Sequence, residues 1–75
     1  MANVELIKVE QHIGGQLLFN VRVTTTLGKI ELPIAIKDQG SLASNETTVL
    51  QSALGFAKEL EASVRLRLGL EPQGL

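Results

Sequence analysis

The sequence predicts a two-layer α+β fold, β-β-β-α, in which a three-stranded antiparallel meander of order 1-2-3 packs against one long C-terminal helix. Two observations carry this reading. Hydrophobic residues alternate with a period of 2 from Gln16 to Lys37, and after Gly40 the period becomes 3.6. A cluster of polar and turn-forming residues, Asp38 to Ser44, separates the two regimes, with no linker, repeat or low-complexity tract. The 75 residues therefore read as one domain, 1–75.

The first strand is expected at about residues 4–11. Its pattern is mixed, because Val4 and Leu6 share one face while Ile7 and Val9 share the other. A turn at Gly14-Gly15-Gln16 resolves it by pairing Ile13 with Leu17, Val9 with Val21 and Ile7 with Val23. Val4 and Leu6 then fall on the outer face, or at an interface. The second strand, 17–26, places Leu17, Phe19, Val21 and Val23 on the inner face, and the third, 29–37, does the same with Ile30, Leu32, Ile34 and Ile36. A four-residue loop, Thr26 to Lys29, pairs Val23 with Leu32, Val21 with Ile34 and Phe19 with Ile36. This register turns the Pro33 nitrogen away from the ladder, which makes the third strand an edge strand.

The helix is expected over about 45–68, a length of about 36 Å. Ser44 or Asn45 supplies the cap and Glu46 an acidic first turn. Arg65 and Arg67 suit the last turn, Gly69 a left-handed terminus, and Pro72 a stop. Val49, Leu50, Ala53, Leu54, Phe56, Ala57, Leu60, Val64 and Leu68 occupy an arc of about 160°, read as the face that meets the sheet. The helix is long for three strands to cover. On its back, Thr48, Ser52, Gly55, Ala62 and Leu66 form a stripe of mostly small residues. An exposed mid-helix Gly costs about 1 kcal/mol relative to Ala, so a second helix approaching closely would rationalise the stripe. The alternative is a stripe that is simply tolerated.

Composition narrows the function. The chain is 44% hydrophobic with a net charge of -1, no cysteine and two aromatic residues. A domain of this size has a marginal core, and without disulfides or thiolate metal sites the common remaining source of stability is association. The N-terminus has neither a basic region nor a long apolar run, and no stretch reaches the ~18 apolar residues of a membrane span. The expectation is a cytoplasmic protein with no membrane contact.

The inventory for chemistry is thin, with one His, one Asp, no Cys and no Tyr. His12 has only Glu10 as a same-face neighbour, too few ligands for a metal, and reads as a solvated side chain at a hairpin end. Glu10 and Glu31 fall near opposite ends of the sheet and do not form an acid–base pair. Gly14-Gly15 precedes a strand and so reads as a turn, not a phosphate loop. Asp38, Ser41, Ser44 and Asn45 read as a helix-entry loop whose side chains satisfy backbone N–H groups. No catalytic residue, metal site or cofactor is expected. On the outer sheet face Lys8, Arg22, Lys29 and Lys37 outnumber Glu10 and Glu31, a local excess that a nucleic-acid surface would use, although no aromatic is available for stacking.

Two functions follow. The first is a small homo-oligomeric protein-interaction or accessory module without a catalytic site, a homodimer or the companion of another protein. Its interface residues would be Ser52, Gly55, Ala62 and Leu66 on the helix, or Val4 and Leu6 on the first strand. The alternative is a weak nucleic-acid-binding module that uses Lys8, Arg22, Lys29 and Lys37.

Overall fold

A computed structural model describes residues 2–11 and 14–70, without the side chains of Glu10 and Gln11. Strands β1 (Asn3–Gln11), β2 (Gln16–Thr25) and β3 (Gly28–Lys37) form an antiparallel sheet of order β1-β2-β3, and helix α1 (Leu42–Arg67) follows. This is the expected α+β meander with one long C-terminal helix. Leu17 pairs with Gln11, not with Ile13 as expected, while His12 and the stop at Pro72 lie outside the described residues.

The inner face of the β2–β3 hairpin is the expected one, but the register is not. Leu17 stands opposite Ile36, Phe19 opposite Ile34, Val21 opposite Leu32 and Val23 opposite Ile30. The pairing has slipped by two residues from the expected one, and the loop has shrunk from four residues to two, Thr26 and Leu27. A slip by two preserves which side chains share a face, so hydrophobic patterning cannot detect it. Local chemistry at the turn supports the shorter loop. Thr25 Oγ1 accepts from the Leu27 N–H at 3.0 Å and donates to the Gly28 carbonyl at 3.3 Å. Thr26 and Leu27 keep negative φ while Gly28 adopts φ 147°, so the conformation that disfavours side chains falls on the one residue without a Cβ. Counting alternate pairs from Thr25↔Gly28 still turns the Pro33 nitrogen outward from β2, and β3 is an edge strand as expected.

Strand β1 overturns the expected facing. Val4 lies opposite Val23, Leu6 opposite Val21 and Lys8 opposite Phe19, with a register shift between Lys8 and Glu10. A bulge inserts one extra residue and reverses the inward–outward alternation beyond it. Val4 and Leu6 therefore belong to the inner face, where Leu6 packs against the core. Ile7, expected inside, lies opposite Asn20 on the outer face, and Val9 at the bulge is exposed.

Helix α1 starts three residues before the expected position. Ser41, not Ser44 or Asn45, is the cap, and its Oγ accepts from the Ser44 N–H at 3.1 Å. Asn45 is buried and ties the helix to the incoming chain. Its Oδ1 accepts from the Gln39 N–H at 2.7 Å, and its Nδ2 donates to Asp38 Oδ1 at 3.3 Å. At the other end Gly69 takes φ 80°. The Gly69 N–H donates to Leu66 O and the Leu70 N–H to Arg65 O, the paired bonds of a Schellman terminus at the glycine where it was expected.

The buried core is Leu17, Phe19, Val21, Ile36 and Val49, flanked by half-buried Leu6, Val23, Leu32 and Ile34. Only Asn45 and Val49 are buried on the helix. Leu50, Leu54, Phe56, Leu60, Val64 and Leu68, expected to meet the sheet, remain 45–68% exposed. The 26-residue helix is about 39 Å long, and the sheet covers only its first turns. Periodicity identified the apolar side of the helix, but not what would lie against it. The result is an open shape, with a radius of gyration of 14.5 Å against about 11 Å for a compact domain of this length.

Replacing Asn45 by Ala removes both part-buried hydrogen bonds and leaves the Gln39 N–H without its partner. The expected loss is about 1–3 kcal/mol, read as a lower urea midpoint at an unchanged slope.

Candidate functional site

The outer sheet face is organised by a row of three side chains. Glu5, Arg22 and Glu31 stand directly opposite one another across β1, β2 and β3. Arg22 Nε donates to Glu31 Oε2 at 2.9 Å, and its guanidinium lies 4.0 Å from Glu5. Asn20 Nδ2 donates to the other Glu31 oxygen at 3.1 Å. The hydrogen bonds from Arg22 and Asn20, with the charge of Arg22, hold the Glu31 carboxyl below the ordinary glutamate value.

The four cations proposed as nucleic-acid contacts do not come together. Lys8 lies opposite Phe19 on the inner side of the sheet, because the bulge sets the parity of β1, and its charge acts on Asp38 in the helix-entry loop. Arg22 is engaged by two carboxylates. Lys29 and Lys37 sit at opposite ends of β3, about 26 Å apart along the strand. Lys8 leaves the outer face and Glu5 joins it, so among the described side chains the basic excess there falls to one, Arg22, Lys29 and Lys37 against Glu5 and Glu31. Among the described residues no three His, Cys, Asp or Glu gather as a metal-binding group, and no helix is long and apolar enough to cross a membrane. The helix-entry cluster around Asp38 and Asn45 is satisfied within itself. Bonds from Gly40 N–H and Asn45 hold the Asp38 carboxyl below its ordinary range.

The proposed helix interface residues, Ser52, Gly55, Ala62 and Leu66, run along a side of α1 that touches no other element closely. Leu66 is 65% exposed, and a Cβ built on Gly55 would meet no atom within 4 Å. Leu6 is engaged with the core, whereas Val4 on the same inner face remains 47% exposed.

The largest apolar feature is one that the sequence reading assigned to the core. From Leu50 to Leu68 the helix presents leucine, phenylalanine and valine to open space along one arc. The inner sheet face is also open at its turn end, where Ile30 and Val4, on either side of Val23, are 56% and 47% exposed. The chain exposes 5870 Å², about 1,400 Å² more than the ~4,500 Å² expected for a folded monomer of 8.1 kDa. That excess, taken from one chain, exceeds the ~800 Å² that each partner contributes to a standard protein interface. The signal in the sequence was the mismatch between helix length and sheet size.

Comparisons with family models, curated proteins and solved structures find no match, so the functional reading rests on this chain's own surfaces.

Because Glu31 is held below its ordinary value of 4.5, its contribution to folding is present above that pH and is lost as the pH falls through the lowered folded value. Acid titration of unfolding will show this part of the pH dependence disappearing in Glu31→Gln.

Proposed function

We propose that this chain is a homo-oligomeric interaction module, acting through contact with no catalytic site of its own, and that its working surface is the apolar arc of α1. The observation that carries the reading is the row Leu50, Leu54, Phe56, Leu60, Val64 and Leu68, left exposed on a continuous helix face. Single exposed leucines are ordinary, but six large apolar residues on one arc form a patch of the kind that marks an interaction site. The helix terminus is closed by Gly69, which supports a rigid rod instead of a fraying end.

The arc, not the small-residue stripe, is the proposed seam. The stripe offers a glycine and short polar side chains, whereas the arc offers far more apolar area. A second copy of this chain is the occupant because the excess surface is of dimer size and the chain has no disulfide to compensate for its small core. A cytoplasmic location belongs to the same proposal.

Substitution of Leu60 by Glu will yield monomers by light scattering with helical circular dichroism retained, while Gly55→Leu will remain associated. A Leu60→Glu protein that stays associated while Gly55→Leu becomes monomeric would move the seam to the stripe.

A further inference from the structure

Two apolar surfaces lack cover, and we infer that in a twofold dimer the second half of each helix lies across the bare inner sheet face of the partner. This rests on the homodimer reading and specifies its geometry. The sheet surface is organised in rows by the strand register. Val4, Val23 and Ile30 form the row nearest the β2–β3 turn, and Leu6, Val21 and Leu32 the next. The helix of the same chain covers the opposite end, where Val49 is buried with Leu17, Phe19 and Ile36. The turn-end row is open at both ends, with Val4 47% and Ile30 56% exposed on either side of half-buried Val23.

A helix-to-helix seam would bury the arc of α1 and leave this sheet row in water. Pairing through the β1 edge would cover neither surface. Reciprocal helix-on-sheet contacts cover both, and twofold symmetry makes each copy supply one helix and one floor. The width of the arc agrees. A coiled-coil seam needs a narrow stripe of two positions in seven, whereas an apolar arc of about 160° suits a helix lying on a broad sheet. Burying the excess surface of both copies gives a total near 2,800 Å², within the range of about 2,000–5,000 Å² typical of obligate homodimers.

The chain contains no cysteine, so introduced thiols report one contact each. Ile30→Cys and Leu60→Cys proteins, distinguished by a tag of different length, are refolded together and oxidised with oxidised glutathione. Val4→Cys with Val64→Cys serves as a second pair, and circular dichroism confirms that every variant folds. The expected result is a disulfide-linked dimer containing one chain of each kind, as the dominant product in the mixtures and absent from each protein alone. If Leu60→Cys cross-links to itself and the mixture adds no mixed species, the dimer stands but the reciprocal arrangement falls. If Ile30→Cys and Leu60→Cys combined in one chain close within that chain and the mass is that of a monomer, the helix covers its own sheet and both readings fall.

Discussion

The attachment of α1 to the sheet depends on two adjacent turns of helix. Val49 enters the core between β2 and β3, and one turn earlier Asn45 bonds to Gln39 and Asp38 in the connecting segment. Close packing around Val49 supplies the apolar part of the joint. The Asn45 bonds supply direction, because an amide that donates to one residue and accepts from another tolerates little rotation. Everything beyond this joint is set by how far the helix extends past it. A rod of 26 residues attached near its start carries its remaining apolar face away from the sheet that a shorter helix would have covered.

That constraint links stability to function. Among the described residues five buried hydrophobic side chains form a small core, and apolar surface is left over on both layers. Natural monomers rarely leave a contiguous face of this kind in water. The proposed association would serve the fold and the proposed role through the same contact. The outer sheet face behaves differently. At its centre Arg22 is paired across the strands with Glu5 and Glu31, a contact that supports the register, while Lys29 and Lys37 stand at opposite ends of β3.

Much of the fold was legible because burial imposes period on sequence. Alternation located β2 and β3 and their inner face, the change to 3.6 located α1, and Gly69 marked its end. Register was less legible because a two-residue slip leaves every side chain on the same face, so Val21 meets Leu32 instead of Ile34 without changing the pattern. The facing of β1 was misread because the bulge between Lys8 and Glu10 carries no glycine or proline to announce it. This placed Val4, Leu6 and Lys8 on the wrong side and enlarged the basic excess read for the outer face. The helix arc was legible as apolar, but a pattern of hydrophobicity is identical whether the cover comes from the same chain or from another.

In the proposed dimer the exposed arc and the open sheet row complete the fold by meeting a second copy. Its most direct test is the thermal midpoint of the unmodified chain measured across a dilution series, because a folded state stabilised by association melts at a concentration-dependent temperature. A dimer that completes the fold gives a midpoint that rises steadily with protein concentration, together with a mass twice the 8.1 kDa of the chain at the upper end. A midpoint independent of concentration, with the mass of a single chain throughout, would contradict it.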